Sequence, residues 1–113
     1  MVEPADPDRD DARWHRLCAR EEVPEGDVWA FSVAGRELAV YGIDGQVHAS
    51  DNLCTHGQSR LSDGFVDGRQ IECPLHQGRF DICSGRALCA PLERDLRIYP
   101  VEVRGDTVYV RLD

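Results

Sequence analysis

The sequence predicts an all-β domain, an antiparallel β-sandwich or small barrel. Three observations carry this: short runs with strand-like alternation, glycine-containing turns between them, and only one place for a helical turn. That place is Ala19–Val23, which Pro24 stops. Strands are expected from Trp14 onward. Val28–Val33 and Glu37–Tyr41 flank Ala34-Gly35-Arg36, a hairpin connection. Asp44-Gly45 then leads into Gln46–Ser50. A two-residue Asp-Gly loop suits a type I′ turn, because glycine tolerates the positive φ that this turn requires. Asp67-Gly68 repeats the signal between Phe65-Val66 and Gln70–Glu72. At the C-terminus Leu96–Arg104 pairs with Thr107–Leu112 across Gly105-Asp106. There Val108, Val110 and Leu112 alternate with Tyr109 and Arg111, the period of a half-buried strand. Residues 52–62 and 73–79 read as loops that the 64–72 hairpin could bring to one end of the sheet.

At 113 residues the chain is long enough for one core, but not for a separate nucleotide-binding unit. Thirteen basic residues, all arginine, against 21 acidic ones give a net charge of −8. That balance speaks against nucleic acid and against an anionic membrane surface as partners. Half of the excess lies in residues 1–12, where Glu3, Asp6, Asp8, Asp10 and Asp11 face only Arg9. With Pro4 and Pro7 this segment reads as a disordered tail, ahead of a single domain over 13–113. No secretory leader and no apolar run long enough to span a bilayer is evident. Five cysteines, an odd count, then fit a reducing cytoplasm, where close Cys/His groupings suggest metal before disulfides.

The grouping that stands out is Cys54-x-His56, sixteen intervening residues, then Cys73-x-x-His76. Thiolate with imidazole is a ligand set for zinc or for a mixed-ligand iron–sulfur cluster. Structural zinc usually takes pairs spaced by two to four residues, often with both cysteines in one pair. Here each loop supplies one cysteine and one histidine, a distribution that suits a two-iron cluster straddled by two loops.

Cys54-Thr55-His56-Gly57 with Cys73-Pro74-Leu75-His76-Gln77-Gly78-Arg79-Phe80-Asp81 resembles the Rieske [2Fe-2S] signature. The likeness extends over roughly residues 14–112. The longer runs Asp51–Gly57, Glu72–Asp81 and Gly85–Pro91 resemble the small Rieske ferredoxins of bacterial aromatic-ring dioxygenase systems, with the naphthalene, salicylate and anthranilate branch nearest. The resemblance implies a Rieske-type β-sandwich carrying a small cluster-binding subdomain, about residues 51–92, formed by two loops. It implies one [2Fe-2S] cluster on Cys54, His56, Cys73 and His76. It further implies a flavin-containing ferredoxin reductase upstream and a Rieske non-haem iron oxygenase downstream. High-potential family members carry an extra cysteine in each loop, joined as a disulfide, and Ser and Tyr hydroxyls that donate to the cluster sulfurs. This chain has Ser59, Leu75, Gly78 and Phe80 at the matching positions, so a low-potential cluster is expected.

The chain has no Gly-x-Gly-x-x-Gly fingerprint, and with only His15 and His48 left over it shows no mononuclear iron site of two histidines and a carboxylate. It is therefore expected to carry electrons without catalysis of its own. A carrier serving another oxygenase or reductase is the near alternative. A structural zinc module and a redox sensor are more distant ones, and no basic output helix supports the sensor. Gly57 and Gly78 are candidate points of close backbone approach to the cluster. Gln58, Leu75 and Gln77 would rim a docking surface, and Pro91 falls where the family places a shielding proline loop. Cys18, Cys83 and Cys89 read as small buried hydrophobes rather than ligands. His15 and His48 read as surface or structural residues, and Trp14 and Trp29 as core.

Overall fold

The computed structural model describes residues 13–55, 59–74, 78–89 and 94–112. The acidic tail proposed for residues 1–12 lies outside these. Ten strands follow in order: β1 (Trp14–Ala19), β2 (Asp27–Val33), β3 (Arg36–Ile43), β4 (Gln46–Asp51), β5 (Phe65–Asp67), β6 (Gln70–Glu72), β7 (Arg79–Asp81), β8 (Ile98–Tyr99), β9 (Val101–Arg104) and β10 (Thr107–Arg111). They form three antiparallel sheets, ordered β1-β10-β9, β2-β3-β4-β8 and β5-β6-β7. The helical turn expected at Ala19–Val23 is a 3-10 turn over Arg20–Glu22, and a second one covers Leu61–Asp63.

Strand β3 explains the layering. Leu38-Ala39-Val40-Tyr41-Gly42-Ile43 is a continuous apolar run, the pattern of a strand covered on both faces. Leu38 and Val40 join Leu17, Cys18, Ala49, Tyr99, Val108 and Val110 in one core. Ala39, Tyr41 and Ile43 point the other way, into a second core with Ile71, Phe80, Ile82, Leu61, Cys54 and Cys73. The first core joins the two larger sheets; the second joins the central sheet to the β5-β6-β7 sheet and the cysteine loops.

The expected turns are present, with adjustments. Asp44 and Gly45 both have positive φ, 53° and 78°, as a type I′ turn requires. Ala34-Gly35 forms a second such two-residue turn, because Arg36 already pairs with Val33. The β5–β6 turn is Gly68-Arg69 rather than Asp67-Gly68, since Asp67 pairs with Gln70. The strand expected over Leu96–Arg104 is two strands in different sheets. Pro100 lies between them and has no N–H for a ladder, and there the chain passes from β4 to β10 as partner. The loop expected over 73–79 ends one residue early, at β7.

Gly85 ties the segment after β7 to the rest. Its φ is +79°, its N–H donates to the Asp81 carbonyl at 2.7 Å, and its carbonyl accepts from Leu96 N at 2.7 Å. A Cβ there would run into the Leu96 carbonyl oxygen. Gly85→Ala therefore combines a left-handed backbone penalty with a backbone clash. The expected cost is about 2–4 kcal/mol, or a melting point on the order of 10–20 °C lower by calorimetry.

Candidate metal centre

Two loops emerge from the β3–β7 region with the same closing geometry. In the first, Cys54 N donates to the Ser59 carbonyl at 2.8 Å, below an isolated antiparallel bridge between Leu53 and Arg60. In the second, Cys73 N donates to the Gly78 carbonyl at 2.8 Å, above the β6–β7 ladder of Gln70–Asp81, Ile71–Phe80 and Glu72–Arg79. Each cysteine thus sits at the last paired position before a short tip, which is why two sequence-distant motifs present equivalent side chains. The tips carry His56 with Gly57 and Gln58, and His76 with Leu75 and Gln77. These six lie outside the described residues, as does Pro91.

Cys54 and Cys73 are 2% and 1% exposed and belong to one buried cluster with Leu61, Ile71 and Phe80. Neither is in a disulfide. Two thiols held in one apolar core on matched loops fit thiolate ligation of a soft metal group. The cluster that the resemblance implies is therefore compatible with the donors described. Ser59 and Phe80, at two of the positions that separate high- from low-potential members, are both buried.

The surroundings are braced by polar contacts. Arg79, just past the second tip, donates to Asp67, Gln70 and Glu72 at 3.1, 3.1 and 2.8 Å. Those carboxylates hold its guanidinium protonated beyond its already high range. Thr55 Oγ1 donates to the Arg94 carbonyl at 3.0 Å, linking the first loop to the segment before β8. An open cleft of about 390 Å³ borders this link, lined by Asp51, Leu53, Cys54, Thr55, Arg94 and Asp95. Tyr99 donates a short hydrogen bond to Asp51, and burial together with that carboxylate raises its pKa. None of these contacts has a sequence signature. Leu53 and Leu88 stand exposed next to the two cysteine loops, at 59% and 41%.

The remaining cysteines and aromatics divide. Cys18 is buried as expected, and burial pushes its thiol up to about 11. Cys83 and Cys89 are exposed, not buried hydrophobes. Cys83 lies in the turn directly after β7, with its Sγ 3.8 Å from His48 Nε2, and Cys89 lies beyond the bridge of Ala87 to Phe80. Burial and Arg69 lower the His48 pKa, so its ring is neutral near pH 7. Trp14 is half-buried, whereas Trp29 is 61% exposed because β2 is an edge strand of its sheet. Among the described residues, no group of three or more His, Cys, Asp or Glu side chains forms another metal site.

The Rieske [2Fe-2S] domain family matches residues 13–100. The ferredoxin component of the naphthalene 1,2-dioxygenase system of Pseudomonas aeruginosa is 55% identical over 100 residues, 88% of this chain and 96% of the relative. The solved ferredoxin of Sphingomonas yanoikuyae B1 superposes with a TM-score of 0.83 at 41% identity, covering 88% of this chain and 98% of that one. A ferredoxin captured in complex with the oxygenase of carbazole 1,9a-dioxygenase superposes with a TM-score of 0.82 at 36% identity, covering 89% and 94%.

Proposed function

The chain belongs to the Rieske [2Fe-2S] domain family, and from that premise we propose that it is the ferredoxin component of an aromatic-ring dioxygenase system. It is a one-electron carrier between an NAD(P)H-dependent flavin reductase and a Rieske non-haem iron oxygenase. Relatives named as ferredoxin components and the carbazole ferredoxin–oxygenase complex support both the role and the downstream partner. The reductase is implied by the composition of such systems.

Cys54, His56, Cys73 and His76 hold the cluster, in a domain of residues 13–113 whose cluster-binding part covers about 51–92. When bound, the cluster supplies reversible one-electron chemistry at a potential that imidazole ligation raises above that of all-thiolate clusters. The chain's part is to bury the two thiolates at the bases of the two loops. The exposed Leu53 and Leu88 beside the loops give a small apolar rim suited to brief docking. No helix among the described residues is long and apolar enough to cross a membrane. The proposed setting is cytoplasmic, where the five cysteines stay reduced.

The observation that carries this reading is the pair of buried cysteines at equivalent positions on two loops, within a chain of Rieske family sequence. Low-temperature EPR of the anaerobic, dithionite-reduced protein tests it, with iron and zinc quantified on the same sample. A rhombic signal with an average g below that of all-cysteine clusters, at two irons per chain, is expected. One zinc per chain and a silent spectrum would replace the carrier with a structural module. With a net charge of −8, the chain is also expected to be steered toward basic patches on its partners. Stopped-flow transfer from reductase to carrier should slow severalfold as ionic strength rises from about 0.01 to 0.3 M. A flat salt profile would remove electrostatic steering.

A further inference from the structure

The two cysteine loops share a closing hydrogen bond but have unequal foundations. Three β6–β7 backbone pairs underlie Cys73, and they survive any side-chain change. Beneath Cys54 the entering arm is paired to β3 as far as Asp51, with Asn52 N donating to the Glu37 carbonyl at 3.4 Å. Only one isolated bridge, Leu53–Arg60, joins the loop's two arms, and a side chain at the neck supplements it. Asn52, 1% exposed, occupies that position. Its Nδ2 donates to Glu37 Oε1 at 2.9 Å and to Ser62 Oγ at 2.9 Å. Its Oδ1 accepts from Ser62 N at 2.8 Å, and its carbonyl accepts from Leu61 N at 2.7 Å. Glu37 spends its second oxygen on Arg60 Nη2, at 2.8 Å. One carboxamide therefore joins the strand entering the first loop, the 3-10 turn leaving it and the central strand β3.

We propose that Asn52 is the positioning residue of the first loop, setting where Cys54 stands relative to Cys73; this rests on the reading that these cysteines hold the cluster. The chemistry required is specific. Both amide hydrogens and the amide oxygen are used, in a place closed to water that could substitute. A carboxylate in its place keeps the acceptor for Ser62 N but turns an oxygen toward Glu37, where a donor is needed. An apolar residue strands the Ser62 N–H.

The test compares the cluster-loaded wild type with Asn52→Asp, with Asn52→Asp combined with Glu37→Gln, and with Arg79→Gln at the second loop. Iron release to excess chelator is followed by absorbance, and the g values of the reduced proteins by EPR. Asn52→Asp is expected to release iron about ten- to hundredfold faster, with shifted g values. Adding Glu37→Gln restores both toward wild type, because the new amide can donate to the new carboxylate. Arg79→Gln stays within about threefold, because its backbone ladder remains. Wild-type g values and release in Asn52→Asp would overturn the proposal, as would equal acceleration in Arg79→Gln. If Asn52→Asp does not fold, Ser62→Ala removes one acceptor and should accelerate release about fivefold; an unchanged rate would overturn the proposal. A wild type without two irons would overturn the cluster reading beneath it, and this inference with it.

Discussion

Cys73→Ala is expected to leave the chain without bound iron, with Cys54→Ala behaving alike. Each is one of two thiolates in the proposed four-ligand set, and Cys18, Cys83 and Cys89 are not among the proposed ligands. Cys18 lies in the other core, and Cys83, in the turn after β7, and Cys89, beyond Ala87, are exposed. The consequence should also be local. Metal-binding free energy is folding free energy for the segment that forms the site. The Cys73 thiol sits among Leu61, Ile71 and Phe80, so its loss both removes the ligand and loosens that core. The core of Leu17, Leu38, Val40, Val108 and Val110 contains none of the proposed ligands and should persist. Hydrogen exchange should then show β1, β9 and β10 amides still protected while those of β6 and β7 lose protection. Elemental analysis gives the primary result. Two irons retained in Cys73→Ala would refute the ligand assignment, and Cys83→Ala and Cys89→Ala should each keep full iron content.

Much of this arrangement was legible because it is written in local rules. The central strand announces itself as an unbroken apolar run, and positive-φ turns fall at or beside the glycine signals. The cysteine and histidine spacing points to metal because few other demands place those residue types two and three apart in two loops. What escaped reading depends on neighbours distant in the chain. Strand β7 is three residues long and has no period of its own; it exists because Gln70–Glu72 offers it a ladder. The break at Pro100 was available from the missing N–H and from the apolar phase, which shifts from Leu96 and Ile98 to Val101 and Val103 across it. Trp29 reads as core from size alone, yet edge position decides its exposure. Asn52 is the sharpest case. Polar residues before a loop are ordinary, and only the convergence of Glu37 and Ser62 on its buried carboxamide distinguishes this one from a solvated turn residue.

Gly78→Ser with Phe80→Tyr is expected to raise the reduction potential, and the sign follows from charge. An oxidised cluster of two ferric ions, two sulfides, two thiolates and neutral imidazoles is formally neutral, and reduction makes it an anion. A hydroxyl donating to its sulfur is stronger toward the anion, so it stabilises the reduced state. If that differential is about 1–2 kcal/mol per donor, each hydroxyl adds roughly 40–90 mV, at 59 mV per tenfold for one electron. Gly78 and Phe80 are both buried, and Phe80 shares its core with Cys54 and Cys73. The same burial supplies a control. A tyrosine hydroxyl that found no acceptor in that core would cost about 1–3 kcal/mol of stability and leave the potential where it was. Protein-film voltammetry and a thermal melt on the same variants therefore separate the two cases. A rise in potential with the melting point held would show that the absent hydroxyls lower the potential of the proposed cluster. An unchanged potential with a lower melting point would place its origin in solvent access or charge around the tips instead.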